Sequence, residues 1–247
     1  MNDRFQTIPG DLAQPGLMQL DQLAFDDTLR MVLRRVYLWM ALGLLLTAGT
    51  AYLSNVTVVS QILFTTPFLF PGLLIAELIL VITLSAALNK LTPLSAGALF
   101  FAYAALNGVT LSAIFLAYEI GSVFMAFAIT SSLFGAMTLI GYSTKKNLNN
   151  WGGYLFMGLF GMLVVSIVTM FIGNGMLDWL VSIVMVFIFL GLTIYDTQRI
   201  KHMVSYAMQS GDEDLVSKIG IRGALSLYLN FINLFLRILR LFGGRRR

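Results

Sequence analysis

Cysteine is absent from this chain of 247 residues, and His202 is its one histidine. The lack of cysteine excludes disulfides, thiolate chemistry and cysteine-ligated metals, and one histidine cannot build a histidine-rich zinc site. Charge is scarce as well, because Asp, Glu, Lys and Arg make up 11% of the sequence, whereas soluble domains carry about 25%. So few charges cannot cover a globule of this size with a solvated surface. This excludes a soluble enzyme, a nucleic-acid-binding domain and a secreted disulfide scaffold.

Hydrophobic residues take the place of charge, at 58% of the total, and they are clustered in long runs. Seven such segments lie at 36–53, 68–88, 94–118, 123–142, 154–172, 177–195 and 221–242. Their lengths fit helices that cross a hydrocarbon layer about 30 Å thick. The sequence therefore predicts an all-α polytopic membrane protein with seven transmembrane helices.

The flanking segments predict a simple domain organisation. Residues 1–30 are polar and acidic and predict a mobile cytoplasmic tail, residues 31–243 form the membrane domain, and residues 244–247 form a basic C-terminal tail. The first thirty residues show no apolar core followed by a small-residue cleavage site, so no cleaved signal peptide is expected. The scarce charges are therefore expected mostly at the edges of the membrane domain.

Basic residues concentrate on one side of the predicted bundle. The ten on that side are Arg30, Arg34, Arg35, Lys90, Lys145, Lys146, Arg199, Lys201, Lys218 and Arg222. The opposite connections, at 55–67, 119–122 and 173–177, contain no Lys or Arg. The positive-inside rule then places the N-terminus in the cytoplasm. A full seventh span would put Arg245, Arg246 and Arg247 outside against the same rule, so the sequence leaves open whether that segment crosses or returns.

The last segment combines an apolar helix with one polar stripe. Spacings of four, four, three, four and three residues separate Arg222, Ser226, Asn230, Asn233, Arg237 and Arg240. At 100° per residue these side chains fall within about 40° of a common line. Such a stripe cannot face lipid, because its polar groups would lack partners. It is expected to line a water-filled path, or simply to hold neighbouring helices together by hydrogen bonds.

A charge at membrane depth costs about 2.5–3.5 kcal/mol on insertion scales, so the carboxylates to weigh are Glu77 and Asp196, with Asp178 at a segment edge. Glu77 is near the middle of the second segment, and Asp196 lies at the end of the sixth. Asp196 is either a functional carboxylate or an interfacial one paired with Arg199. Small residues spaced by four, at Gly108 and Ser112 and again at 131 and 135, predict close helix packing.

Three motifs closely resemble the Bax inhibitor-1 family, also called the transmembrane BAX-inhibitor-motif family, and in particular its bacterial inner-membrane branch. They are GLTIYDTQRIK at 191–201, LYLNFINLF at 227–235 and FGAMTLIGY at 134–142. The resemblance covers about residues 30–242 and implies a seven-helix bundle with the last helix in the middle. It also implies a multi-pass protein of the bacterial inner membrane that acts as a pH-sensitive calcium leak, with calcium as the transported ion and no cofactor.

The resemblance further implies a gating pair of carboxylates on the sixth and seventh helices. The first maps onto Asp196, which is also the candidate for the calcium path. The second maps onto Asn230, where the family pattern has Asp. A basic residue near the end of the second helix engages the pair in some members, and Lys90 is the nearest basic residue here. The supporting polar residues are expected to be Glu77, Arg199, Ser226, Asn233 and Arg237.

Asn230 changes the chemistry that the family pair would perform. Two close carboxylates share a proton and therefore respond to pH, whereas an amide does not titrate and donates a hydrogen bond to an ionised partner. One carboxylate also offers calcium less negative charge than two. The sequence thus predicts that pH gating is muted.

Other functions remain open at this level. A non-conducting modulator of a membrane-bound AAA protease would dock through residues 1–30 and the connection 199–220, which holds Asp212, Glu213 and Asp214. A proton-coupled transporter could relay protons through Glu77 and Asp196. An intramembrane enzyme is not expected, because a second catalytic carboxylate motif, a buried histidine base and a zinc motif are missing. The expected partners are membrane lipids and calcium, without nucleic acid, and the chain is expected to be a monomer.

Overall fold

The structure is a computed structural model that describes residues 14–88, 90–144, 146–210 and 213–244. Its helices are α1 (Gln14–Val56), α2 (Val58–Thr65), α3 (Leu69–Ala87), α4 (Pro93–Leu111), α5 (Ala113–Ala117), α6 (Ile120–Ser143), α7 (Asn149–Ile172), α8 (Gly175–Ser210) and α9 (Glu213–Phe242). These residues contain no strand, so the all-α prediction is confirmed. The tail at 1–13, Lys145, Asp212 and Arg245–Arg247 lie outside the described residues.

Within the described residues, seven spans are long and apolar enough to cross a membrane, as the sequence predicts. Helices α4 and α5 together form one of them, Pro93–Ala117. The outer surface of the bundle is apolar, and large side chains such as Ile79, Phe160 and Phe187 are more than half exposed. Exposure on this scale would be unfavourable in water but suits a surface that faces lipid tails.

Helix α9 lies in the middle of the bundle and contacts α1, α4, α6 and α8. Leu227, Tyr228 and Leu234 on α9 are fully buried. These four helices pack around it, while α3 packs against α4 and α7 packs against α8. The central position of the last helix, which the family resemblance implies, is therefore confirmed.

Three helices extend further than the sequence predicts. Helix α1 already begins at Gln14, within the expected tail, and α8 continues to Ser210. With 36 residues, α8 is about 54 Å long, well beyond the hydrocarbon thickness of about 30 Å. The expected connection at 199–220 is wrong, because α8 and α9 occupy it except at 211–212. Helix α2, in the connection at 55–67, was not predicted either.

Packing explains why the extension is helical. Ile200, Val204 and Ala207 follow one another at helical spacing on α8, and all three are buried. They pack in one hydrophobic core with Leu29 of α1 and Ile219 of α9. A charged surface and a short apolar stripe on each helix are enough to stabilise such a cluster beyond the membrane.

The seventh segment crosses the bundle completely. Near its start, Gly223 lies against Ile200 of α8. Beyond its end, the Gly244 backbone nitrogen donates a hydrogen bond to Ser122 Oγ over 2.9 Å, and the Glu119 nitrogen donates to the Gly244 carbonyl over 3.2 Å. We call the side where α8 ends and α9 begins the basic end, and the side of Ser122 the opposite end. The re-entrant alternative is thereby excluded.

The two small-residue pairs behave differently. At Gly108 a Cβ atom would meet the backbone of Thr47 and the hydroxyl of Thr50, so α4 approaches α1 closely because the side chain is absent. At Gly135 an added Cβ would meet nothing within 4 Å. Close packing through a small residue is therefore confirmed at Gly108, and the same prediction is wrong at Gly135.

Candidate functional site

The run Tyr195–Gln198 points its four side chains at four different parts of the molecule, since consecutive residues on a helix are about 100° apart. The Tyr195 ring contacts Phe156 of α7 edge-on, with centroids 6.4 Å apart. Thr197 lies against Gly141 of α6. Gln198 binds the α6–α7 connection, accepting from the Leu148 nitrogen over 2.8 Å and donating to the Lys146 carbonyl. The neighbours of Asp196 therefore fix the rotation of α8.

Asp196 faces the central helix and is 4% exposed. Its Oδ2 atom accepts hydrogen bonds from Ser226 Oγ and from Asn230 Nδ2, each over 2.7 Å. Its Oδ1 atom is buried and has no hydrogen-bond partner within the described residues. The two donors lie four residues apart on one face of α9, so the polar stripe of the sequence supplies both. Asp196, Ser226 and Asn230 are thus brought together as one site.

A cavity of about 200 Å³ opens beside Asp196 at the basic end of the bundle. Its lining residues are Ser85, Leu88, Asp196, Arg199, Ile200, Met203, Arg222, Gly223, Leu225, Ser226 and Leu229. They come from α8, α9 and the region of α3 next to Leu88. Arg199 and Arg222 are the basic members of this wall. The buried carboxylate is therefore adjacent to space large enough for water or an ion.

Arg199 does not form the direct ion pair that would make Asp196 a purely interfacial residue. It is exposed, and no ion pair between Arg199 and Asp196 is formed within the described residues, whereas Arg240 pairs with Asp178 over 2.8 Å. Asp196 instead accepts hydrogen bonds from Ser226 and Asn230. The pairing alternative for Asp196 is therefore replaced by contacts with α9.

The rest of the polar stripe follows α8 towards the opposite end. Asn233 turns back on its own helix, donating to the Leu229 carbonyl over 2.8 Å. Arg237 is half-buried, and its Nη1 atom has no partner within the described residues. Arg240 pairs with Asp178 near the start of α8, about 27 Å from Asp196 at 1.5 Å per residue. The polar stripe of α9 therefore contacts α8 at two places, Asp196 and Asp178. Only the first half of the stripe belongs to the Asp196 site.

Lys90 is not brought to the Asp196 site. It is exposed after α3 and is not among the residues that line the cavity, whereas Ser85 and Leu88 of the same region are. The basic groups next to Asp196 come from α8 and α9, as Arg199 and Arg222.

Glu77 forms a second buried polar site, on the other side of α9. It is 7% exposed and accepts hydrogen bonds from Thr110 Oγ1, through Oε1, and from Asn107 Nδ2, through Oε2 over 3.2 Å. Tyr228 donates to Asn107 Oδ1 over 3.2 Å, and its hydroxyl lies 2.7 Å from Thr47 Oγ1. The chain of contacts joins α3, α4, α9 and α1 and satisfies the carboxylate without a cation.

Sequence reasoning missed most of the Glu77 site. Glu77 was predicted, but its neighbours Asn107 and Thr110 were not singled out beside the packing residue Gly108, and Tyr228 and Thr47 had no predicted role. Tyr228 lies two residues from Ser226 and two from Asn230, about 200° away in either direction, so it faces away from Asp196. The available signal was the Tyr228 hydroxyl, a polar group on the otherwise apolar face of α9 opposite the polar stripe. Helix α9 thus separates two buried carboxylates.

No group of three or more His, Asp or Glu side chains within the described residues is placed to hold a metal ion. Asp196 and Glu77 are each surrounded by hydroxyl and amide groups rather than by further carboxylates. What these sites offer chemically is a single buried carboxylate with neutral donors. Such an arrangement can hold a proton or contact a passing cation.

A bundle of seven membrane-length helices with buried carboxylates on two sides of its central helix defines a polytopic membrane protein with a polar interior. Comparison with known proteins gives the family. The family model described as "Inhibitor of apoptosis-promoting Bax1" matches residues 29–247, and the chain belongs to this Bax inhibitor-1 family.

Relatives support the same assignment. The chain is 45% identical to the inner membrane protein YbhL of Escherichia coli K12 over 219 residues, which cover 88% of this chain and 93% of the relative. It is 41% identical to an uncharacterised protein of Borreliella burgdorferi, covering 87% and 92%. It is 40% identical to an uncharacterised membrane protein of Streptococcus pyogenes, covering 88% and 94%. With its seven spans, the chain is a multi-pass inner membrane protein.

Proposed function

We propose that this protein is a calcium leak of the Bax inhibitor-1 type, in which Asp196 and Asn230 form the gate and pH dependence is muted. The observation that supports this is the hydrogen bond from Asn230 to the buried Asp196 carboxylate, next to a cavity at the basic end. Family membership supplies the expectation of a gate at these two positions. Calcium is the transported ion.

The geometry suggests how the gate would be held. The contacts from Ser226 and Asn230 tie α8 to the central helix at one carboxylate oxygen. A cation entering from the cavity would have to compete with these two donors for the carboxylate. Because Asn230 does not titrate, this link retains one ionisable group where an Asp pair would have two. A pair that shares a proton would separate on losing it, whereas the amide keeps its bond to the ionised form.

The orientation follows from the distribution of basic residues. We propose that the basic end, and with it the start of α1, faces the cytoplasm, as the positive-inside rule expects. The Asp196 cavity would then open on the cytoplasmic side. Glu77, deeper in the membrane, is a candidate second station for a cation or a proton that crosses the bundle.

Calcium flux into liposomes tests the proposal. The full chain is compared with Asn230→Asp between about pH 5 and 8, a range wide enough to titrate a shifted carboxylate. We expect flux from the wild type with a shallow pH profile, and a steeper profile from Asn230→Asp. Asp196→Asn should lower the flux at every pH, because the cation path then lacks its carboxylate.

Asn233→Asp is the matched control, since it makes the same substitution one turn along α9, where the amide bonds to its own helix. Its pH profile should follow the wild type. Identical profiles for the wild type and Asn230→Asp would refute the gating role. Absence of flux from both proteins, with folding verified, would refute the leak itself.

A further inference from the structure

A second and larger cavity, of about 520 Å³, lies at the basic end beside the first. Its lining residues are Leu88, Arg199, His202, Met203, Tyr206, Leu215, Lys218, Ile219 and Arg222. Leu88, Arg199, Met203 and Arg222 line both cavities. The two arginines therefore stand between the larger cavity and the buried carboxylate.

The polar part of this cavity consists of the guanidinium groups of Arg199 and Arg222, the ammonium group of Lys218 and the imidazole of His202. Arg199 and His202 are three residues apart on α8, and Lys218 and Arg222 are four apart on α9, so each helix turns a neighbouring pair towards the same space. None of the described lining residues is acidic. Within the described part of the chain, neither Arg199 nor Arg222 has an ion-pair partner. Like charges held around one space repel one another, and an anion in that space would relieve the repulsion.

The other part of the wall is apolar, and it continues the surface that faces lipid. Leu88, Met203 and Ile219 form it with Leu215 and the exposed ring of Tyr206. The membrane-length helix α3 ends at Ala87, just before Leu88, so we place the cavity at the level where lipid tails give way to headgroups. Tyrosine is enriched at this level because its ring is apolar and its hydroxyl is polar. A ligand that fits both parts is an amphiphile with a negative head.

We propose that this cavity binds the phosphodiester headgroup of an anionic phospholipid. Guanidinium groups donate paired hydrogen bonds to phosphate oxygens, and those of Arg199 and Arg222 line this cavity. Basic pockets between membrane helices on the cytoplasmic side are suited to such headgroups. The phosphate chemistry could also come from a soluble phosphate, but the apolar wall and the membrane level favour the lipid.

A bound headgroup would also act on the Asp196 site. Arg199 and Arg222 place positive charge at the entrance of the smaller cavity, which repels cations. The negative headgroup offsets that charge and eases the approach of a cation to Asp196. This consequence rests on the proposed calcium leak, whereas the binding site itself does not.

Native mass spectrometry of the purified full chain in detergent tests the site without measuring flux. Phosphatidylglycerol and phosphatidylcholine with the same acyl chains are titrated onto the wild type and onto the double variant Arg199→Gln/Arg222→Gln. We expect the wild type to bind phosphatidylglycerol in preference. The double variant should bind it about tenfold more weakly or worse, since each lost charged hydrogen bond is worth roughly that factor.

The matched control is Arg30→Gln/Arg34→Gln, which removes the same charge from exposed positions of α1 outside the cavity. It should bind phosphatidylglycerol as the wild type does. An equal loss in both double variants, or equal binding of the two lipids by the wild type, would overturn the proposal. Displacement of phosphatidylglycerol by millimolar inorganic phosphate or glycerol phosphate would show that the site binds a soluble phosphate. That result would overturn the proposal of a lipid ligand.

A second pair of variants keeps the test valid if the double variant does not fold. Arg222→Gln alone should weaken binding of phosphatidylglycerol, and Arg222→Lys, which keeps the charge but loses the paired donors, should bind more tightly than Arg222→Gln and less tightly than the wild type. Equal binding by these two variants would contradict an electrostatic site. These binding results can be interpreted even if the protein shows no calcium flux, because the measurement does not depend on transport.

Discussion

Asn230 donates a hydrogen bond from its side-chain amide to the Asp196 carboxylate over 2.7 Å, joining the central helix to α8. Ser226 donates to the same oxygen, so the carboxylate is held from one face of α9 by two neutral groups. Two neutral donors stabilise one ionised acid without adding a second titrating group. The proposed muting of pH gating rests on this contact, in which Asn230 stands where the family pattern has Asp.

Replacing Asn230 by Leu should destabilise the protein by about 1–3 kcal/mol, because a buried carboxylate oxygen would lose one of its two donors. Heat unfolding in detergent, followed by tryptophan fluorescence, measures the effect as a lower Tm. Asn233→Leu is the control, because the Asn233 amide bonds only to the Leu229 carbonyl of its own helix. An equal fall in Tm for both variants would show that the hydrogen bond to Asp196 makes no specific contribution to stability.

Gly108→Ala should destabilise the contact of α1 with α4 by about 1–3 kcal/mol, since overpacked cores lose stability in this range. The new Cβ would meet the backbone of Thr47, which cannot move aside as a flexible side chain can. Gly135→Ala, where the added Cβ meets nothing within 4 Å, should be neutral or stabilising by up to about 1 kcal/mol. The same Tm measurement tests both variants. An unchanged Tm for Gly108→Ala would contradict the close approach of α4 to α1.

Tyr228 and Thr47 should be energetically coupled, because their hydroxyls lie 2.7 Å apart in the buried chain that leads to Glu77. A double-mutant cycle of Tyr228→Phe and Thr47→Val should give a coupling energy of about 0.5–3 kcal/mol. The matched cycle replaces Thr47→Val with Thr130→Val, whose hydroxyl bonds within its own helix. Additive effects in the first cycle would contradict the network.

The end of α8, next to the start of α9, and a residue just after the end of α9 should be accessible from opposite sides of the membrane. Because the chain has no cysteine, single Ser210→Cys and Gly244→Cys variants can be labelled with a membrane-impermeant maleimide. In right-side-out vesicles we expect Gly244→Cys to react and Ser210→Cys to be protected, with the reverse in inverted vesicles. Labelling of both from one side would contradict a full seventh crossing, and a reversed pattern would contradict only the orientation.

The existence of the seven spans could be predicted from the sequence because each depends on a local property, the apolar content of about twenty consecutive residues. The stripe on the last segment was equally local, since its spacing places Ser226 and Asn230 on one face whatever surrounds the helix. Asp196 could be named because a carboxylate in an apolar run is costly and therefore rare. The family resemblance added the central position of α9 and the pairing of Asp196 with position 230.

The predicted connection at 199–220 failed for a physical reason. Its charged residues are typical of a solvated loop, and the sequence therefore predicted a connection. In the structure, however, Val204 and Ala207 pack against helices that are distant in sequence. Helical structure that depends on such partners has a weak local signal. The boundary near residue 31 shows the same effect, since Leu29 is buried by contacts that only the folded bundle supplies.

The sequence by itself determined the class of protein, the number of spans and the face of α9 that bears polar groups, all of which follow from composition and helical periodicity. Only the tertiary structure decided which other groups meet: Asp196 with Ser226, Glu77 with Asn107 and Thr110, and Arg240 with Asp178. Helices such as α3 and α6 have only a weak amphipathic pattern, so their sequences leave their rotation and partners largely undetermined. Packing around the central helix sets both, and with them the surroundings of each buried charge.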